Sequence, residues 1–150
     1  MKKSIIVFIF IFVSRSGYSQ KTNFIQIKNV GNSDVPFTTL VITTQKTANF
    51  DDGYSFVDIL TVDEITFQSL VKFISEYNYK INKKDDYGIY DINIGYANKA
   101  SILVKKKYNL LTLNKSITFF RDISAYCQLI KLNPKLITSI NHIKSEVEYK

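Results

Sequence analysis

The chain has 150 residues, 20 of them basic and 13 acidic, with one cysteine, one histidine and five glycines. A single cysteine excludes an intrachain disulfide, a single histidine excludes multi-histidine metal centres, and so few glycines leave little from which to build a phosphate-cradling loop. Ten tyrosines and eleven phenylalanines in a chain that is 45% hydrophobic argue for a packed core rather than disorder.

The N-terminus is organised differently from the rest. Met1-Lys2-Lys3 precedes the apolar run Ile5 to Val13, and Ser14 to Gln20 (SRSGYSQ) follows it. Positive charge, a short apolar run and small residues at an exit resemble bacterial signal peptides in general. The run is too short to span a bilayer, which takes roughly 20 apolar residues. Gly17 and Ser19 fit the shallow pockets of a signal peptidase that cuts between Ser19 and Gln20. No cysteine stands at the cut, so lipid attachment there is excluded. The expectation is a signal peptide over 1–19 and one globular domain over 20–150, exported to the periplasm or beyond, with no stable membrane insertion after cleavage. Loss of Lys2, Lys3 and Arg15 leaves 17 − 13 = +4. That charge is uneven: residues 20–100 carry 8 basic and 10 acidic side chains, residues 101–150 carry 9 and 3.

Phe24 to Val30 alternates, with Ile25 and Ile27 on one side, and reads as a strand. Gly31-Asn32-Ser33-Asp34 and Pro36 break it. Thr39 to Lys46, rich in β-branched residues, reads as a second strand. A turn at Asn49 to Gly53 leads to a third over Tyr54 to Leu60. Thr61 and Glu64 then have capping-box spacing, with Leu60 and Ile65 placed as a hydrophobic staple, and Phe67, Leu70, Val71, Ile74 and Tyr77 line the apolar face of a helix that fades near Asn78. Lys80 to Tyr87 is a polar loop. Gly88 to Tyr96 alternates as a strand, with Tyr90, Ile92, Ile94 and Tyr96 on one face and Asp91 and Asn93 pointing away. A turn at Asn98-Lys99 joins it to a strand over Ser101 to Lys107. A tight turn at Tyr108-Asn109 would add Leu110 to Leu113. Asn114 is the expected cap of a second helix with Phe119, Phe120, Ile123, Cys127 and Ile130 on its apolar face. Asn133-Pro134 starts a third, with Leu136, Ile140, Ile143 and Val147 as its stripe. The fold expected is α+β: an antiparallel sheet of five or six strands with two or three helices on one face. The echo between Leu60–Phe67 and Leu111–Phe119 suggests two related βββα halves.

Familiar catalytic signatures are missing: there is no G-x-x-x-x-G-K-[ST], G-x-G-x-x-G or G-x-S-x-G. Cys127 and His142 flank Asn133-Pro134 at similar distances, but helical angles place Cys127 inward and His142 outward, against a dyad. Asp51-Asp52-Gly53 and Asp85-Asp86 lack the full spacing of a calcium loop and read as turn residues. Asn114-Lys115-Ser116 matches a glycosylation sequon at the expected cap.

Lys105-Lys106-Lys107 beside Tyr108 is the sharpest basic feature. It could face nucleic acid or an anionic polymer. Strand alternation would divide the three lysines between two faces, and lysine also protects edge strands from aggregation. The reading that follows is an exported, non-enzymatic module that binds a protein in the periplasm or outside the cell, of inhibitor or immunity type. No catalytic, cofactor-binding or metal-ligating residue is assigned, and no cofactor is expected. The alternatives are a polyanion binder using the basic C-terminal part and a hydrolase using acidic residues only.

Overall fold

The computed structural model describes residues 21–30, 39–45, 57–77, 89–98, 101–110 and 112–148. The elements run β1 (Thr22–Asn29), β2 (Thr39–Thr43), β3 (Val57–Thr61), α1 (Glu64–Glu76), β4 (Tyr90–Ala97), β5 (Ile102–Leu110), α2 (Leu113–Leu129) and α3 (Pro134–Glu148). The strands form one five-stranded sheet in the order β3-β2-β1-β4-β5. Every neighbouring pair is antiparallel except β2 and β3, which are parallel. The fold is thus α+β with a mixed, mostly antiparallel sheet.

Alternation along the strands builds the core. Ile25 and Ile27 of central strand β1 oppose Ile42 and Leu40 on one side and Ile94 and Ile92 on the other. This face receives the apolar stripes of all three helices: Phe67, Leu70 and Ile74 from α1, Phe119, Phe120, Ile123 and Cys127 from α2, and Leu136, Ile140, Ile143 and Val147 from α3. Aromatic edges lock the middle, with Phe120 against Tyr90 at 5.0 Å between ring centroids and Phe119 against Tyr77 at 5.1 Å. On the opposite face Phe24, Val41 and Ala97 form a smaller buried cluster.

The caps of α1 and α2 each differ from expectation by two residues. Thr61 belongs to β3, where it pairs with Thr43, so it does not cap α1. Asp63 does: the Thr66 N–H donates to one carboxylate oxygen and the Thr66 hydroxyl to the other, both at 2.8 Å. With Asp63 as cap, the flanking apolar positions become Val62 and Phe67, both buried, while Ile65 is 81% exposed. Likewise Thr112, not Asn114, caps α2, accepting from the Lys115 N–H at 3.2 Å. Pro134 occupies the first position of α3 as predicted, and the Asn133 side chain accepts from the Lys135 N–H at 2.9 Å. Between them α2 ends in a left-handed Lys131 (φ 51°), with Leu132 N–H returning to the Cys127 carbonyl and Lys131 N–H to that of Gln128. This is the Schellman closure of a helix, made here without glycine.

No turn interrupts Tyr108-Asn109. β5 runs through both residues to Leu110, because Tyr108 aligns with Ile92 and Asn109 with Asp91 in continuous register. The Tyr108 hydroxyl donates to Ser75 of α1, and the Asn109 amide donates to Asp91. Among the described residues, therefore, two strands precede the helix in the second half where three do in the first, and the two-halves expectation does not describe this order of elements. The expected signal peptide and the Ser19–Gln20 cut lie outside the described residues, as do the 31–36 break, the 49–53 turn, the polar loop over 80–87 and both aspartate pairs weighed for calcium.

Candidate functional site

The two edges of the sheet are unlike. β3 is five residues long, and α3 lies against it, with the Ser139 hydroxyl donating to Asp58 at 2.6 Å. β5 is nine residues long, and all but Tyr108 and Leu110 of its side chains are exposed. Its first three residues are large and apolar, yet Ile102, Leu103 and Val104 are 50%, 47% and 43% exposed.

An irregularity divides this strand. From Leu110 back to Lys106 the register with β4 is regular; then Gly95 opposes Val104, and Lys105 is left without an opposite residue. One extra residue in one strand of an antiparallel pair is a β-bulge. Gly95 is its counterpart on β4. A Cβ at that position would collide with the Leu103 carbonyl oxygen and stand 3.0 Å from the Val104 Cα. Here the missing side chain is required by backbone approach.

The bulge changes how the three lysines are presented. Lys107 faces the side opposite the helices and forms an ion pair with Asp91 at 2.7 Å. That pairing, with the Asn109 amide, is why Asp91 is buried on a face where sequence alternation alone would leave it in solvent. Lys106 sits opposite Ile94, on the helix-bearing side. Lys105 also reaches that side: its ammonium lies 5.0 Å from the centre of the Tyr96 ring, and Lys21 lies 4.7 Å from the same ring. Strict alternation would have separated Lys105 from Lys106. Lys21 and Lys105 thus meet at Tyr96, on the side of the sheet that also carries Lys106 and exposed Leu103.

Two other polar clusters carry less. A cleft of about 260 Å³ between β3 and α3 is lined by Asp58, Thr138, Ser139, His142 and Ile143. It holds the residue types of a serine relay, but the single Ser139 hydroxyl proton is directed at Asp58, and His142 Nδ1 lies 3.3 Å from Glu146. A relay needs the serine proton on the histidine. The groove between α2 and α3 contains Arg121 and Lys144, each beside a carboxylate, Asp122 at 3.2 Å and Glu148 at 3.7 Å.

Cys127 is fully buried, and burial pushes its thiol up to about 12, far from the thiolate a nucleophile needs. His142 is exposed, as its helical angle predicts. Burial also raises Tyr77 and Tyr90 to about 12, Tyr77 with help from its hydrogen bond to Asp122. No group of three or more potential metal ligands occurs among the described residues. Among them, too, no helix is long and apolar enough to cross a membrane. Comparison of the chain with family models, with curated proteins and with solved structures finds no match.

Proposed function

We propose that this chain is an exported, non-enzymatic protein-binding module of inhibitor or immunity type, and that it engages its partner through β5. The observation that carries the reading is the run Ile102-Leu103-Val104, three exposed apolar residues on a long edge strand. An edge of that kind is a template for pairing with another chain. Export rests on the layout of residues 1–20, with cleavage between Ser19 and Gln20. A second reading, a polyanion binder, draws on the basic cluster about Tyr96. For a hydrolase that uses acids alone, the geometry offers less: Asp63 caps a helix, Asp91 is ion-paired, and Asp122 accepts from Tyr77.

The test is recovery of a partner from the cell envelope with residues 20–150 as bait. A double variant, Ile102→Glu with Val104→Glu, serves as the control, since both positions are exposed and tolerate charge. The expected result is one stoichiometric partner retained by the parent and lost by the variant. Retention of the same partner by both chains removes β5 from the site. Fractionation and intact mass test export separately: a chain beginning at Gln20 in the periplasm or medium is expected, and an uncut cytoplasmic chain overturns it.

A further inference from the structure

We infer that the occupant of β5 is an extended, acidic strand of another protein, added to the sheet in its own plane. This rests on the protein-binding reading above and specifies its chemistry.

Consecutive strand residues point to opposite faces. Ile102 and Val104 therefore stand on one side of the sheet and Leu103 on the other, opposite Ala97, Gly95 and Tyr96 respectively. A helix or loop docking on either face would cover one set and leave the other wet. A strand lying alongside β5 covers both and pairs the outward backbone groups of the edge. Length also favours this edge, since β5 offers nine residues to a partner strand and β3 five.

Charge selects the partner. Lys105 and Lys106 project from the middle of β5, and Lys21 joins Lys105 at Tyr96. A second copy of this chain, paired antiparallel about Lys106, would set lysine against lysine, and like charges directly opposite are destabilising. A partner strand with carboxylates at these positions meets them with attraction instead, and the exposed charges steer its approach.

The probe is a fluorescein-labelled peptide of alternating glutamate and valine interrupted once by glycine, so that it can follow the step at Lys105, titrated against the folded chain and read by anisotropy and by amide exchange. Its counterparts are an N-methylated form that cannot pair along one edge, a lysine–valine form, and heparin. The glutamate–valine peptide is expected to bind, to slow amide exchange within Ile102–Lys106, and to weaken as salt rises. N-methylation and the Lys105→Ala, Lys106→Ala double variant are each expected to weaken it about tenfold or more, a loss of ~1.4 kcal/mol. Equal binding of the N-methylated form or of heparin overturns strand addition in favour of a polyanion surface. Equal binding of the lysine form overturns the acidic preference. If no peptide binds while an envelope partner is still lost by the Ile102→Glu, Val104→Glu variant, the acidic-strand inference fails and the protein-binding reading stands. If that partner is kept, the reading itself fails.

Discussion

Replacing Gly95 with alanine tests the strand irregularity on which the proposed site depends. The added methyl would overlap the Leu103 carbonyl oxygen and approach the Leu103 carbonyl carbon to 2.9 Å. Both are backbone atoms, which cannot rotate away as the end of a side chain can. β5 must therefore shift at its bulge. Overpacking of this kind costs about 1–3 kcal/mol. Moving the Leu103 carbonyl also weakens a ladder hydrogen bond, worth about 1 kcal/mol. Against this, alanine restricts the unfolded chain more than glycine, an opposing gain of about 0.4–1 kcal/mol. The balance is a destabilisation of about 1–3.5 kcal/mol, read as a lower urea midpoint with an unchanged slope. Amide resonances should move within β4 and β5 and stay fixed in α2 and α3. A loss below about 0.5 kcal/mol, within the range of an ordinary surface substitution, with β5 resonances unmoved, would refute the argument.

Other perturbations test other parts of the molecule. Phe120→Ala empties a site that is fully buried against Tyr90 and Phe119, and should cost about 3–5 kcal/mol by urea denaturation. Lys131→Gly should stabilise by about 0.5–1 kcal/mol, because glycine accepts the left-handed closure of α2 without the Cβ strain, less its greater unfolded-state entropy. Hydrogen bonds from Thr66 hold the Asp63 carboxyl below its usual value of 3.8, so its contribution is present above that pH and is lost as pH falls through the lowered value; Asp63→Asn keeps a cap and should flatten this part of the acid denaturation curve. Tyr77 and Tyr90 act in the opposite direction. Their folded-state values near 12 mean that stability is retained below pH 10 and declines from 10 towards 12, with two tyrosines ionising late in an ultraviolet titration. Cys127 should react with a thiol reagent no faster than the chain unfolds, and rapid modification of the native protein would contradict its burial.

Much of this architecture is legible in the sequence wherever a period is long enough to count. The stripe Leu136, Ile140, Ile143, Val147 repeats at helical spacing, and all four residues are buried. Short strands are harder. Val57 to Thr61 looks the same whether it runs parallel or antiparallel to β2, since direction is set by long-range pairing and leaves no mark on five residues. Caps slip for a related reason. Thr61, Asp63, Thr112 and Asn114 are all competent side chains, and what decides among them is how far the preceding strand stays paired. The proposed site was half visible. Lys105 to Lys107 stand out as a charge run, but the apolar Ile102 to Val104 before them read as ordinary strand filling. Their exposure follows from β5 being an edge, which is a property of the sheet order. Nor does the sequence reveal the bulge, because Gly95 within an alternating run signals close backbone approach without saying which strand approaches.

The unopposed Lys105 has a consequence for any chain that lies beside β5. Residues 102–104 and residues 106–110 are offset by one step, so a uniform strand in phase with the first group falls out of phase with the second. β4 absorbs the step with a glycine. A guest strand that spans both groups must absorb it as well, and a glycine between its apolar and acidic parts is the simplest means. The edge then reads spacing as well as charge. The same step also limits indefinite growth: each added layer of a stacked sheet would have to repeat the fault, so β5 can take on one suited strand while offering a poor template for a fibre.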